Sequence, residues 1–503
     1  MIKNYWKNIC RNLIRPKSYS SPNIFGSLLC ITCGISMIMN YKKVISNIVM
    51  LTALFACLYI SYGCRSSQAG GGVISAGAMD SGKCPETIYY ALNESHSNSW
   101  VQRSADGVVG IVYGQRIGME AGNNIGQLVY KTILPNGSEK EEVVTTGRGV
   151  DKCVLLYDSN SCPHIFFACS DNLHQAIFHL YKKDGSTWHK EIAINFSNIS
   201  GKFIYELSAD IDKKNSFHLL ALKTRFNPQS KDYYPAYRDC RLFYVTNAGG
   251  NWEKKLIHRY DTFYTYDYHV KVQRRQDIAV DNDGFAHVVF GVQLNPLGQG
   301  HDATGQLYYA SNKTGKWVIE LALKPSKVPD DAGWFPSLCL DKTGRPAVAY
   351  TYVSRVRTRS ASNTRLCYAV RSDKNRWETA VVADSDDGYD GNDGRGYTGA
   401  LPHLKIDDNN TPHMVFSDIA SSHRPKNVFN IGQIRYAVFN GSSWDISTIY
   451  RQSPPKGFYN AREIAGQCLV ISGDGKKIQV VAQEMISRRK NVYTHKLVYF
   501  VIK

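Results

Sequence analysis

The residues best suited to chemistry are arginines, tyrosines and histidines that crowd a few long, polar segments of the chain. Planar aromatic rings stack on sugar rings, and guanidinium groups pair with carboxylates. These residue types therefore predict a surface that recognises an acidic carbohydrate. The candidate binding residues are Tyr237 in segment 225–238, Tyr268 and Arg275 in segment 260–276, and His301 in segment 293–305.

The elements that must position these segments are repeats. Two apolar strands around a turn rich in Asp, Asn and Gly recur at intervals of roughly 50–70 residues. A third strand, a polar turn that usually holds Trp, and a fourth strand follow each pair, except that the last copy ends after its third strand. Alternating apolar positions and turn dipeptides predict antiparallel hairpins. The seven copies begin at Val101, Val154, Ser208, Asp277, Ser337, His403 and Cys468.

Four short strands per repeat, with no helical periodicity between repeats, predict an all-β fold: a seven-bladed β-propeller of four-stranded antiparallel blades. Segment 83–93 would supply the missing strand of the last blade and remove an open sheet edge. A six- or eight-bladed ring would require one false copy or one missed copy. The connections from strand two to three and from strand four to the next blade share one end of the ring, here called the loop-bearing face. The opposite end is the turn face.

Two residue types recur at equivalent positions and are interpreted as structural. A histidine lies in the second strand beside the Asp turn in four repeats, and a tryptophan precedes the fourth strand in five. We predict that the histidines stabilise their blades and that the tryptophans pack between blades. These residues are His164, His218, His287, His413, Trp188, Trp252, Trp317, Trp377 and Trp444.

The first 64 residues have the features of a targeting region, since they contain no Asp or Glu and two apolar stretches. An apolar run over 44–62 ends just before Cys64, which predicts a signal peptide with a lipid-accepting cysteine. The sequence thus divides into a targeting region (1–64), a flexible tether (65–82) and the propeller (83–503). An uncleaved anchor, with one or two helices, is the alternative, and Met39 is the interpreted start of translation.

The predicted location is outside the cytoplasm, as an outer-membrane lipoprotein on the periplasmic or cell-surface side, with membrane contact through the lipid anchor only. The chain has a net charge of +17, and the part after Cys64 carries 53 basic and 43 acidic residues. A basic exported protein attracts anionic partners. An acidic polysaccharide or oligosaccharide fits this compartment better than nucleic acid, while a role of the charge in solubility alone stays open.

Other kinds of site find little support. Eight cysteines follow Cys64 without zinc-ligand spacing, and most are predicted to be buried free thiols. The sequence has no phosphate-binding loop, serine nucleophile elbow or strict Asp-box, and we predict no required cofactor. Segment 384–393 holds five aspartates and an asparagine. We interpret it as a polar loop, with calcium as the alternative.

The repeat pattern resembles the BNR-like seven-bladed propellers of polysaccharide-degrading bacteria, including ulvan lyases and rhamnosyl-glucuronate lyases. Those lyases use a His, a Tyr and an Arg on the loop-bearing face. Tyr205, which opens the first strand of the third repeat, and Arg225, which ends its second, are similar in placement. Asp151 and Lys152 occupy the place of the family's histidine, and His174 is the nearest imidazole on that face.

The resemblance implies β-elimination on a uronate-containing glycan. It assigns Arg225, with Arg275 second, to the uronate carboxylate, His174 to the base and Tyr205 to the acid. His301 and Tyr268 would contact the sugar. The alternatives are a glycoside hydrolase on the same scaffold, for which paired carboxylates would be expected, and a non-catalytic propeller that binds glycans at the cell surface.

Overall fold

The structure is a computed structural model that describes residues 99–120, 123–148, 150, 152–170, 175–183, 187–196, 203–227, 236–264, 276–294, 304–326, 330–355, 362–372, 376–384, 396–424, 427–451, 462–489 and 492–502. All of them belong to one compact unit, Ala76–Lys503. They form seven antiparallel sheets and no helix. The predicted targeting region, tether and closing strand 83–93 lie outside the described residues.

Each sheet is one blade, and its strands follow one another in chain order. Six blades have four described strands and the seventh has three. Blade one is β1 (Trp100–Arg103), β2 (Val109–Glu120), β3 (Asn123–Ile133) and β4 (Glu139–Arg148); blade two is β5 (Lys152–Tyr157), β6 (Pro163–Ser170), β7 (Gln175–Lys182) and β8 (Trp188–Asn195); blade three is β9 (Phe203–Ile211), β10 (Phe217–Asn227), β11 (Ala236–Thr246) and β12 (Glu253–Tyr264); blade four is β13 (Gln276–Val280), β14 (Ala286–Leu294), β15 (Thr304–Ser311) and β16 (Val318–Leu323); blade five is β17 (Asp331–Leu340), β18 (Pro346–Arg355), β19 (Ser362–Arg371) and β20 (Trp377–Asp384); blade six is β21 (Gly396–Ile406), β22 (Pro412–Arg424), β23 (Asn427–Phe439) and β24 (Trp444–Arg451); blade seven is β25 (Arg462–Ile471), β26 (Ile478–Arg489) and β27 (Val492–Ile502).

The blades close into a ring. The first strand of each blade contacts the first strand of the next, and β25 returns to contact β1. Buried side chains are shared between neighbouring blades: Leu242 of blade three packs in one cluster with Phe290 of blade four, and Val101 of blade one shares a cluster with Leu497 of blade seven. The predicted seven-bladed all-β propeller is therefore confirmed.

The turn between strands one and two depends on one aspartate in five blades. In blade four, Asp281 Oδ1 accepts the backbone N–H groups of Asp283 (3.0 Å) and Phe285 (2.9 Å). Burial opposes ionisation of Asp281, but these bonds and His287 hold its pKa below the usual value. Gly284 takes a positive φ of 85° in this turn, which is why Gly or Asn recurs there. The equivalent aspartates are Asp158, Asp212, Asp341 and Asp407, each accepting two backbone N–H groups.

The recurring histidines connect these turns to the blade core. His287 Nε2 lies 3.3 Å from Asp281 Oδ2, and its Nδ1 lies 2.5 Å from the Tyr309 hydroxyl. Burial lowers the pKa of His287, so the ring is neutral: Nε2–H donates to the carboxylate, and Nδ1 accepts from the tyrosine. The same Asp–His–Tyr arrangement joins Asp212, His218 and Tyr244 in blade three and Asp407, His413 and Tyr436 in blade six.

The recurring tryptophans pack between blades, as predicted. Trp377 of blade five meets Tyr309 of blade four edge to face, with ring centroids 5.6 Å apart. Such aromatic pairs add about 0.5–1.5 kcal/mol beyond the area that they bury. A tyrosine thus holds its own blade's histidine and also packs on the next blade. Equivalent pairs are Tyr130–Trp188, Tyr244–Trp317 and Tyr368–Trp444.

We expect Tyr309→Phe to lower the free energy of unfolding by about 1–3 kcal/mol, because the buried His287 Nδ1 would lose its only described donor. Tyr308→Phe is the matched control, since this neighbouring hydroxyl is partly buried and donates to Gln306. Urea unfolding of both variants measures the difference. An equal loss in the two variants would contradict a structural role for the Asp–His–Tyr unit.

Candidate functional site

Blade three brings three of the predicted site residues to the loop-bearing face. Tyr205 lies near the start of β9, Arg225 near the end of β10 and Tyr237 near the start of β11. Phe226 pairs with Tyr237 across the β10–β11 ladder, and Tyr205 falls where the β9–β10 register shifts. The three backbones therefore meet at one end of one blade. Their side chains lie outside the described residues.

The other predicted site residues, His174, Tyr268, Arg275 and His301, lie outside the described residues, as does Cys64. Their roles stay predictions. Of segment 384–393, only Asp384 is described, and its Oδ2 pairs with Arg365 Nε at 2.5 Å. The described part of the chain holds no group of three or more His, Cys, Asp or Glu side chains that could bind a metal.

Two further sequence predictions concern cysteines and membranes. Cys153, Cys162, Cys240, Cys339, Cys367 and Cys468 are free thiols. All except Cys162 and Cys339 are buried, as most were predicted to be. Within the described ranges, no segment forms a helix of the length and apolarity needed to cross a membrane.

A pair of lysines fixes the chain where it leaves blade two for Tyr205. Lys223 Nζ donates to the Phe196 carbonyl and Lys254 Nζ to the Asn195 carbonyl, both at 2.7 Å. Both ammonium groups also lie over the Phe196 ring, 5.0 and 4.8 Å from its centroid. Cation–π contacts of this kind strengthen when they are desolvated, and Lys223 is fully buried. The end of β8 is thus anchored to β10 and β12.

The first strands of blades five and six depart from regular pairing at the loop-bearing face. The β17–β18 and β21–β22 ladders shift register at Gly333–Phe335 and Gly399–Leu401. Phe335 and Leu401 take positive φ values of 52° and 51°, which side-chain-bearing residues rarely adopt. Such strain clusters at functional sites. Phe335 and Leu401 pack together with Trp334, so an apolar contact joins the two irregular strands.

Buried polar groups hold these two irregular strands. Asp418 Oδ1 accepts the Gly399 N–H at 3.1 Å, and its Oδ2 accepts from Arg435 Nη1 at 3.1 Å. Burial raises the pKa of Asp418 in spite of Arg435. In blade five, the Tyr352 hydroxyl donates to Asp330 Oδ2 at 2.9 Å. Sequence reasoning missed these residues, because only the distant pairing partners reveal their roles.

A chain of hydrogen bonds joins the first strands around the channel. In blades three to six, a side chain of the first strand accepts a backbone N–H of the next blade, and Cys468 donates to blade one. The polar residues Asp277, Ser337 and His403 each lie four positions before the turn aspartate of their blade, which is the sequence signal for this arrangement. The bonds are Val280 N to Asp210 Oδ2 (2.7 Å), Leu338 N to Asp277 Oδ2 (2.8 Å), Leu404 N to Ser337 Oγ (3.1 Å), Leu469 N to His403 Nδ1 (3.0 Å) and Cys468 Sγ to the Ser99 carbonyl (3.4 Å).

The channel between these strands contains a cavity of about 190 Å³ towards the turn face. Asp210 and Asp277 line it from blades three and four, and Lys405 lines it from blade six. Burial raises the pKa of Asp210 to about 6, although Lys405 and the backbone N–H groups of Val280 and Ile211 oppose the shift. The ring therefore encloses charges of both signs in a partly dehydrated space.

No protein-family model and no curated protein match the chain. Solved structures do match. A polysaccharide lyase named Uly1 is 10% identical with a TM-score of 0.44, covering 85% of this chain and 94% of its own. An α-L-arabinofuranosidase from Fusarium graminearum is 8% identical (TM-score 0.40; 82% and 97% covered), and a Trypanosoma rangeli sialidase is 13% identical (TM-score 0.39; 83% and 60% covered).

Asp210 should make stability depend on pH. Because its folded-state pKa of about 6 exceeds the ordinary 3.8, the folded protein binds more protons than the unfolded chain between these values. The contribution of Asp210 to stability therefore falls as pH rises from about 4 to about 6. We expect Asp210→Asn to remove this decline in urea unfolding across that range. Asp283→Asn, at an exposed turn position, is the control, and parallel pH profiles for Asp210→Asn and the wild type would contradict the assignment.

Proposed function

We propose that this protein is an exported carbohydrate-active propeller and that it cleaves uronate-containing polysaccharides as a lyase. The substrate would lie across the loop-bearing face. No resident cofactor is part of the proposal. The observation that carries it is the meeting of Tyr205, Arg225 and Tyr237 at one end of blade three, where Tyr205 and Arg225 are similar in placement to the tyrosine and arginine of the resembling lyases.

The proposed reaction is β-elimination. Arg225, with Arg275 as the second candidate, pairs with the uronate carboxylate and so makes the C5 proton more acidic. Neutral His174 removes that proton, and the electron pair of the C5–H bond forms the C4=C5 double bond. The C4–O bond breaks, and Tyr205 protonates the departing oxygen. Tyr237, Tyr268 and His301 would contact neighbouring sugar rings.

The described surroundings support this placement. The Lys223–Phe196–Lys254 contact anchors the end of β8 to β10 and β12 of blade three, the blade that carries Tyr205 and Arg225. A rigid scaffold beneath long loops is the usual setting for a binding or catalytic site. The strained residues Phe335 and Leu401 lie at the same face in blades five and six.

We expect the purified protein to generate ultraviolet absorbance from unsaturated uronate when it is mixed with a panel of uronate-containing polysaccharides. Arg225→Ala should lower the rate about 100-fold or more, since removal of one group that stabilises developing charge costs this much in comparable sites. Arg345→Ala should retain the wild-type rate, because Arg345 pairs with Asp341 in an exposed turn at the turn face.

New reducing ends without new ultraviolet absorbance would show that the protein is a glycoside hydrolase and not a lyase. Binding without any cleavage would indicate a non-catalytic propeller that binds glycans at the cell surface. The presence of Asp151 and Lys152 in place of the family's histidine favours this alternative. Equal rates for Arg225→Ala and Arg345→Ala would contradict the proposed carboxylate partner.

We also propose that the protein is an outer-membrane lipoprotein held by a lipid on Cys64. Support comes from the apolar run over 44–62, the small Gly63 and the Ser/Gly-rich segment 65–82. This location would expose the propeller to extracellular or periplasmic glycans, to which a net positive charge is suited.

In cells grown with radiolabelled palmitate, the wild-type protein should carry label and Cys64→Ser should carry none. Cys57→Ser is the matched control, since Cys57 lies within the apolar run, and it should remain labelled. A Cys64→Ser variant that still carries label, or a wild-type protein that carries none, would contradict lipidation at Cys64.

A further inference from the structure

The channel cavity near the turn face is separate from the loop-bearing face and is lined by a different set of polar and aromatic residues. It lies between the last residues of the first strands, just before the Asp turns. Its polar and aromatic lining comes from blades one, three, four and six. The lining residues used below are Trp100, Gln102, Asp210, Asp277, His403 and Lys405.

Hydrogen-bond acceptors line one wall. Asp210 Oδ1 accepts the Ile211 N–H at 2.9 Å and Oδ2 accepts the Val280 N–H at 2.7 Å. A carboxylate offers about four acceptor sites, so Asp210 has capacity for further donors from the cavity. Asp277, in the next blade, is held by Ile278 N and Leu338 N. Two oriented carboxyl groups thus face the space side by side.

A cation lies on the opposite wall. Lys405 is three blades from Asp210, and its charge acts on that carboxyl through space. No described carboxylate lies within ion-pair distance of Lys405 Nζ. An ammonium group has three N–H donors, and in this partly buried position they need acceptors from within the cavity. His403 lies beside it: its Nδ1 accepts the Leu469 N–H, so the proton of the neutral ring is on Nε2.

An indole completes the lining. Trp100 contributes from blade one and meets His403 edge to face, with ring centroids 6.0 Å apart. Gln102, two residues further along β1, adds both a donor and an acceptor. A volume of about 190 Å³ is below the roughly 300–1,000 Å³ of pockets that hold drug-sized ligands, so one small ring fits better than a chain.

We propose that this cavity binds one acidic monosaccharide, with the sugar carboxylate at Lys405 and hydroxyl groups donating to Asp210 and Asp277. The sugar hydroxyls can donate to the carboxylates on one wall and accept from Lys405 on the other. The C–H face of the sugar ring can stack on the Trp100 indole. This site is independent of the proposed lyase reaction, because it lies at the other end of the channel and uses other residues.

The test is calorimetric titration of the purified full-length protein with D-glucuronate and, as the neutral match, D-glucose. We expect saturable binding of glucuronate and at least tenfold weaker binding of glucose. Lys405→Met should weaken glucuronate binding at least tenfold and bring it close to that of glucose. Lys342→Met, an exposed lysine on the turn face, should bind glucuronate as the wild type does.

Arg225→Ala separates this site from the loop-bearing face: it should retain the glucuronate binding that Lys405→Met loses. Asp210→Asn provides a second variant and should weaken both sugars. An absence of saturable binding by the wild type would overturn the proposal, as would wild-type affinity in both Lys405→Met and Asp210→Asn. Loss of binding in Arg225→Ala alone would assign the sugar to the loop-bearing face and also overturn it.

Discussion

The structure depends on how each blade is held to the next around the channel. A propeller has no single core, so its stability comes from a series of interfaces between sheets, and the ring must close. Here the innermost strands are joined by hydrogen bonds in which Asp210, Asp277, Ser337 and His403 accept a backbone N–H of the following blade. Bonds to charged acceptors such as the two aspartates are worth about 1.5–3 kcal/mol each, and bonds to neutral acceptors such as Ser337 and His403 about 0.5–1.5 kcal/mol. They also fix the position of each blade relative to the next along the channel axis, because the N–H group must point at its acceptor.

A second set of contacts works further from the axis. In blades three and four, the aspartate of the turn holds a neutral histidine, the histidine holds a tyrosine, and the tyrosine packs against the tryptophan of the next blade, as in Asp281, His287, Tyr309 and Trp377. Turn, blade core and blade interface are thus one connected unit. This division leaves the turn face regular and allows the loop-bearing face to vary.

Much of this fold could be predicted from the sequence, because the structural residues repeat. The Asp turn, the following histidine and the tryptophan recur at fixed positions, and repetition separates them from residues with a single task. Lys223 and Phe196 do not repeat, and neither do Phe335 and Leu401. Their roles depend on partners in another strand or on a backbone conformation that periodicity does not encode.

The candidate site was predictable only to the level of the backbone. Strand order is enough to bring Tyr205, Arg225 and Tyr237 to one end of blade three, since the ends of adjacent antiparallel strands must meet. The carboxylates and Lys405 of the channel escaped prediction for a different reason. None of the three residue types repeats at the equivalent position of other blades, and only closure of the ring brings blades three, four and six to face one another.

Under the proposed function, glycans bind at the loop-bearing face of a rigid ring. Hydrogen–deuterium exchange with and without a uronate-containing oligosaccharide tests this most directly. We expect slower exchange in the connections at the loop-bearing ends of blades three to six, with the Asp turns unchanged. Slower exchange confined to the Asp turns, or to the exposed outer strands β4, β8 and β12, would contradict it.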